Sequence, residues 1–76
     1  MNISDAVAAS IKSGQYIARK KWESHYRFRI EPTDTPDGCI CHSGAMKTPC
    51  RGWQPTAEDL LADDWILLSK YKRSEL

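Results

Sequence analysis

The sequence predicts an α+β fold: a small single domain with an N-terminal helix, an antiparallel sheet of about four strands and a short helix before the last strand. Thr56 followed three residues later by Asp59 is a capping-box pattern, which places a helix start at Ala57. Residues 25–31 alternate polar and apolar side chains, as a strand with one buried face does. Apolar residues at spacings of three and four within residues 3–11 indicate an amphipathic first helix.

The length and composition indicate one soluble domain over residues 1–76, with 41% hydrophobic residues, 28% charged residues and a formal net charge of +1. A chain this short buries only a small core, so disulfides, a metal or self-association should add stability. No apolar run is long enough to span a membrane, and the absence of a secretion signal predicts free thiols for the three cysteines and a cytoplasmic location. The near-neutral charge argues against a nucleic-acid partner, which requires a basic field.

The N-terminal third of the chain is predicted to form a helix, a strand and a turn. The helix is predicted over residues 5–13, with Ser4 as its cap and Gly14 as its left-handed end. Residues 15–19 are predicted to form a short strand, and residues 20–24 form a basic turn that carries an aromatic residue. The predicted buried face of the helix consists of Ile3, Val7, Ala8 and Ile11.

The rest of the chain supplies the other strands and the capped helix. Trp65 opens the last strand and is assigned to the core, whereas Leu60 and Leu61 form the apolar face of the capped helix. The predicted elements are a strand at 25–31, a loop at 32–38, a strand at 39–42, an irregular segment at 45–52, a helix of about two turns from Ala57, a strand at 65–68 and a polar tail at 70–76.

A zinc site is one interpretation of the cysteines. Cys39, Cys41, His42 and Cys50 have the ligand types of a structural zinc centre. The spacing argues against it, because on a strand the Cys39 and Cys41 thiols point to one face and His42 to the other. Free thiols are therefore favoured, no cofactor is expected, and a zinc-stabilised protein-interaction module remains the alternative.

Nothing in the sequence indicates catalysis. There is no glycine-rich phosphate loop and no nucleophile elbow around a serine. Cys41 and His42 are neighbours, so on a strand they point apart and cannot form a thiol–imidazole pair. The protein is not expected to be an enzyme.

The aromatic and basic residues are the most informative set. Trp22 follows Arg19 and Lys21, and Trp53 follows Arg51. Indole faces stack on purines and guanidinium groups bind phosphate oxygens, so this combination suits a nucleotide. The competing interpretation is that the tryptophans are half-buried core residues and the basic side chains only solvate the surface. A third interpretation is that the protein binds nucleic acid through Arg27 and Arg29. Its affinity for oligonucleotides would then have to fall with rising salt concentration.

Two blocks of sequence resemble a known family of phage proteins. The first is residues 3–14 (ISDAVAASIKSG) followed by residues 17–22 (IARKKW), and the second is residues 53–65 (WQPTAEDLLADDW). Both resemble the second Thoeris anti-defence family, long described as a domain of unknown function.

The resemblance implies a sponge that binds the cyclic ADP-ribose isomer made by bacterial TIR-domain immune proteins and does not cleave it. Some members of the family also bind cyclic dinucleotides in separate pockets. The resemblance further implies a homotetramer, built as a dimer of dimers, with each ligand pocket formed between subunits in an infected bacterial cell. Carried over onto this sequence, the resemblance implies Trp22, Trp53 and Asp59 as ligand-binding residues. On physical grounds, Thr56 is close enough to add a hydroxyl, and Arg19, Lys21 or Arg51 is expected to neutralise the phosphates.

Overall fold

The described part of the chain, residues 1–22, 28–43 and 48–69 of this computed structural model, forms two α-helices and one four-stranded sheet. All strand pairs are antiparallel. The predicted α+β class and the short helix before the last strand are confirmed. The elements are α1 (Ile3–Ser13), β1 (Tyr16–Arg19), a 3₁₀ turn (Lys20–Trp22), β2 (Arg29–Pro32), β3 (Cys39–His42), α2 (Ala57–Leu61) and β4 (Trp65–Leu68), with the strands in the order β3-β2-β1-β4.

The first helix starts earlier than predicted. Its cap is Asn2, whose side-chain oxygen accepts a hydrogen bond from the Asp5 N–H at 2.8 Å, and not Ser4. Asn is at least as good a capping residue as Ser, so the preference for a polar N-cap residue holds at Asn2, two residues before the predicted position. The predicted end is correct, because Gly14 has φ 76° and its N–H bonds to the Ser10 carbonyl.

The buried face of α1 also differs from the predicted one. Ala6 is 0% and Ser10 4% exposed, and Ile3 and Val7 pack against the core beside them. These positions form one stripe at helical spacing, which leaves Ile11 at the edge of the stripe and 53% exposed. The small side chains of Ala6 and Ser10 let the helix approach the sheet.

The core lies between α1 and one face of the sheet. Ile17 of β1 is paired with Ile30 of β2, and both are almost fully buried. Alternate residues of a strand point to opposite faces, so the same face receives Cys41 from β3. Trp65 of β4 completes the cluster and is 1% exposed, as predicted.

The second strand, predicted over 25–31, ends one residue later than predicted, and Phe28 lies before the described strand. The described strand is Arg29–Pro32, and residues 25–27 lie outside the described residues. Pro32 ends the strand, where the lack of an N–H is tolerated. The turn that follows is closed by a hydrogen bond from the Thr33 N–H to the Gly38 carbonyl at 3.0 Å, so the prediction of a loop holds from residue 33.

The capped helix is shorter than two turns and does not bury its leucines in the described structure. α2 has 5 residues, and Leu60 and Leu61 are 53% and 86% exposed. The residue it buries is Asp59. None of the helices in the described ranges has the length and apolar composition to cross a membrane. The predicted tail at 70–76 and residues 44–47 lie outside the described residues.

Candidate functional site

Three tryptophans from distant parts of the chain meet in one place, here called the tryptophan cluster (Trp22, Trp53 and Trp65). Trp22 ends the 3₁₀ turn after β1, Trp53 precedes α2, and Trp65 opens β4. The ring centroids are 6.1 Å apart for Trp22 and Trp53, 5.4 Å for Trp22 and Trp65, and 6.4 Å for Trp53 and Trp65. All three contacts are edge-to-face, with interplanar angles of 80–84°.

The members of the cluster differ in exposure. Trp65 is 1% exposed, and its indole N–H donates to the Asp59 carbonyl at 2.9 Å. Trp22 and Trp53 are half-buried and pack against the core from outside. The two predicted ligand-binding rings are therefore adjacent within one protomer, and each keeps part of its surface accessible.

Beside the tryptophan cluster lies an ion network centred on Arg19. Arg19 is 6% exposed, and its Nε is 2.8 Å from Asp64 Oδ1. Its terminal nitrogen is 3.1 Å from Asp59 Oδ1. The hydrogen bond that Arg19 donates to Asp64, opposed by burial and supported by the one to Asp59, keeps the pKa of Arg19 above its ordinary value. Arg19 thus has two hydrogen-bonded carboxylate partners and a third carboxylate, Glu58, at 3.9 Å, which leaves it poorly placed to meet a phosphate.

Both carboxylate oxygens of Asp59 accept hydrogen bonds, Oδ1 from Arg19 and Oδ2 from Thr56. Its Oδ2 accepts the Thr56 N–H at 3.0 Å, and the Asp59 N–H donates to Thr56 Oγ1 at 3.2 Å, which confirms the predicted capping box. Burial alone would raise the pKa of Asp59, but the hydrogen bonds from Thr56 and Arg19 outweigh it and lower the pKa. The predicted site residues Asp59, Thr56 and Arg19 are brought together, and their contacts hold α2 against β1 and β4.

The two carboxylates of this network predict a loss of stability in acid. The hydrogen bond from Arg19 lowers the pKa of Asp64 below its ordinary value of 3.8, and the pKa of Asp59 is lowered too. A depressed folded-state pKa means that the unfolded chain binds more protons as the pH falls, so the stability that these two carboxylates contribute is fully present above about pH 5 and declines below about pH 4. Urea unfolding between neutral pH and pH 3 measures this, with Asp63→Asn as the matched control.

Asp64→Asn should be less stable at neutral pH and should show a shallower acid decline than Asp63→Asn, because Asp63 is exposed and outside the network. Equal acid slopes in the two variants would contradict the assignment.

Of the remaining predicted basic residues, Lys21 borders this network through Glu58, whereas Arg51 pairs with Asp37. Lys21 Nζ is 2.9 Å from Glu58 Oε1, with both side chains largely exposed. The Arg51 side chain is 76% exposed, and its guanidinium is 3.7 Å from Asp37 Oδ1. Exposed pairs of this kind contribute little to stability and exchange partners readily. Lys21 and Arg51 are therefore the predicted cations that remain accessible to a phosphate.

Arg51 also lines a cleft that the sequence did not predict. This cleft of about 260 Å³ has its wall on the sheet face opposite the core. His42 of that wall stacks on Tyr16, which does not line the cleft, with ring centroids 4.5 Å apart and an interplanar angle of 13°. His42 Nε2 lies 2.9 Å from Glu31 Oε1. The lining residues are Glu31, Asp37, Ile40, His42, Thr48, Pro49 and Arg51.

A second cleft of about 210 Å³ lies where the end of α1 meets the turn after β2. Tyr16 and Glu31 line it, whereas Trp22 and Trp53 line neither cleft. Burial, followed by the nearby charge of Glu31, raises the pKa of the Tyr16 phenol. The strand register places Tyr16, Glu31 and His42 together, and no spacing in the sequence indicates it.

The zinc alternative has no support in the described residues. Within residues 1–22, 28–43 and 48–69 no three His, Cys, Asp or Glu side chains are arranged to hold a metal ion. Cys39 and Cys41 pack toward the core, as the alternation of the strand predicts. His42 is on the other face and pairs with Glu31.

The fold and the site define a small α+β domain that offers accessible indole rings and exposed cations without a metal cluster among its described residues. Comparison with protein families identifies it further. The model of the Thoeris anti-defense 2-like (Tad2-like) domain matches residues 1–68, and the chain belongs to this family. No significant match was found among curated proteins or among solved structures. Membership supports a role against the Thoeris defence system.

Proposed function

We propose that this protein is a sponge that binds a cyclic nucleotide immune signal, a cyclic ADP-ribose isomer, and withholds it from the Thoeris effector without cleaving it. The observation that carries the proposal is the family match over residues 1–68. The proposed place of action is the cytoplasm of an infected bacterial cell. Cyclic dinucleotides are proposed as further ligands.

The tryptophan cluster supports the recognition of a base. Trp22 and Trp53 are held by edge-to-face contacts with Trp65, so their rings are ordered before a ligand arrives. A preordered ring loses little conformational entropy on binding, and stacking a base on it contributes roughly 1–3 kcal/mol. The capping box and the Arg19 network fix α2 behind these rings.

Charge complementarity supports the accessible cations as the proposed partners of the phosphates. Lys21 is adjacent to Trp22 in the 3₁₀ turn, and Arg51 is two residues before Trp53. Among the described residues each pairs with one acidic side chain that is itself at least 40% exposed, so a pyrophosphate can replace that partner at low cost. Thr56 is exposed and offers a hydroxyl nearby in sequence.

Assembly into a homotetramer, as a dimer of dimers, is part of the proposal. Leu60, Leu61 and Ile11 are more than half exposed in the single chain, and Met1 is 45% exposed. Burying such side chains between subunits supplies apolar area that a small core lacks. Residues from a second subunit would then complete the pocket over the accessible ring surfaces.

Capture without turnover is directly measurable. The purified protein is incubated with the cyclic ADP-ribose isomer, free ligand is measured in an ultrafiltrate, and the retained fraction is heated and analysed by mass spectrometry. The expected result is depletion in proportion to protein, with intact ligand released on heating. Heat-denatured protein is the control. A linearised or hydrolysed product would show an enzyme, and undiminished free ligand would contradict binding.

Native mass spectrometry of the same sample tests the assembly. Four chains are expected, with ligand bound to that species. A monomer that leaves the ligand in solution would favour the alternative of a small protein-interaction module.

A further inference from the structure

Two cysteine side chains oppose each other at the edge of the sheet. The segment that continues to Trp53 runs antiparallel to β3, with the Cys41 N–H donating to the Cys50 carbonyl at 2.7 Å and the Cys50 N–H donating to the Cys41 carbonyl at 2.9 Å. This reciprocal exchange defines a directly opposed, hydrogen-bonded pair. The side chains of such a pair leave the two strands on the same face.

The separation of the pair suits a covalent link. Cα atoms of a hydrogen-bonded antiparallel pair are about 5.5 Å apart, which falls within the roughly 4.4–6.8 Å found for disulfides. The Cβ atoms of such a pair are about 5 Å apart, so the bond requires an approach of about 1 Å. Cys50 is exposed and lies outside the four strands, so its segment can make this approach without disturbing the core.

We infer that Cys41 and Cys50 form a redox-active pair that an external disulfide, glutathione disulfide, converts into an intramolecular disulfide bond. The inference does not depend on the proposed function. Cys41 and Cys50 are both reduced in the structure, as is Cys39, the third cysteine.

The exposed thiol reacts first. Cys50, as the thiolate, attacks one sulfur of glutathione disulfide, and a bond forms between Cys50 Sγ and glutathione while one glutathione thiolate leaves. Cys41 then attacks Cys50 Sγ and displaces the second glutathione thiolate. Two electrons pass to glutathione disulfide, and the two cysteine protons end on the two released glutathione thiols.

The environment of Cys41 favours the oxidised state. Burial, with a smaller contribution from Cys50, raises the pKa of Cys41 to about 11. A thiol of high pKa is a poor leaving group, so reduction of the bond by attack on Cys50 Sγ is slow. Attack on the buried Cys41 sulfur is sterically hindered, because Cys41 is 6% exposed. The bond, once formed, should persist until a strong reductant acts.

The disulfide bond would tether the segment from Cys50 to Trp53, which leads to the tryptophan cluster. Three residues after Cys50, the Trp53 N–H donates to the Cys39 carbonyl at 2.9 Å, so the segment already follows the edge of β3. A covalent link at Cys50 holds it there. Any effect of this tether on ligand capture rests on the proposed function, whereas formation of the bond does not.

Mass spectrometry of the full chain after incubation with glutathione disulfide under native conditions tests the inference. The wild-type protein should lose about 2 Da and two thiols, and peptide mapping should show Cys41 linked to Cys50 in one chain. Dithiothreitol should restore both thiols. The control Cys39→Ser should behave as the wild type does.

The variants separate the two steps. Cys50→Ser should lose no mass, and Cys41→Ser should stop with one glutathione on Cys50, a gain of about 305 Da. Cys50→Ser replaces an exposed side chain, so this arm remains informative if Cys41→Ser fails to fold. Retention of all three wild-type thiols, a bond to Cys39, or bonds only between chains would overturn the inference.

Discussion

Trp65→Ala is expected to cost about 3–5 kcal/mol of unfolding free energy. The side chain is 1% exposed, and it contacts both other members of the tryptophan cluster. Its removal leaves a cavity and deprives the Asp59 carbonyl of its indole donor at 2.9 Å. A domain of 76 residues has a total stability of about 4–11 kcal/mol, so this one change removes a large part of it.

Urea denaturation at one fixed protein concentration measures this loss. Trp65→Phe should lose less, about 1–2 kcal/mol, because it keeps an aromatic ring and removes the hydrogen bond and part of the volume. Gln54→Ala is the control for shortening a side chain outside the core, since Gln54 is exposed. A loss below about 1 kcal/mol in Trp65→Ala would contradict the burial of this residue.

Trp22→Ala and Trp53→Ala are each expected to weaken capture of the cyclic ADP-ribose isomer by about 5- to 150-fold. The reason is the loss of one stacking surface, which contributes roughly 1–3 kcal/mol. Both rings are half-buried and border the buried Trp65, so the Ala variants should also lose some stability. Titration calorimetry should therefore be done where circular dichroism shows the variant to be folded.

Two matched variants distinguish ligand contact from general damage. Trp22→Phe and Trp53→Phe keep a ring and should bind more tightly than the Ala variants. Trp65→Phe perturbs the same cluster at its buried member and should leave the affinity of the folded protein nearly unchanged. Wild-type affinity in both Ala variants would remove the tryptophans from the pocket, whereas an equal loss in Trp65→Phe would indicate an indirect effect.

Whether a predicted cation is available to a ligand depends on its ion-pair partners within the protomer. The sequence offers Arg19, Lys21 and Arg51 as alternative phosphate ligands, but the Arg19 guanidinium is buried between Asp59 and Asp64. Ion pairing across 40 and 45 residues is invisible to local pattern. Lys21 and Arg51 have the same local appearance and remain exposed. Only the positions of distant carboxylates distinguish the structural cation from the accessible ones.

Local sequence patterns predicted the structure correctly where the contacts that stabilise it lie within a few residues of each other. The capping box at Thr56, the left-handed end at Gly14 and the turn closed between Thr33 and Gly38 each depend on neighbours in sequence. The cap of α1 at Asn2 shows the limit of such rules, because adjacent polar residues compete on nearly equal terms.

By itself, the sequence determined the α+β class, the order of the described helices and strands, and the two blocks that mark the family. These depend on periodicity, capping and turn chemistry, which act over a few residues. Tertiary structure alone decided that Trp22 and Trp53 meet Trp65, that Arg19 is enclosed by carboxylates, that His42 stacks on Tyr16 and that Cys41 opposes Cys50. Strand register and the packing of α2 set these contacts, and register is a property of paired strands that no single segment contains.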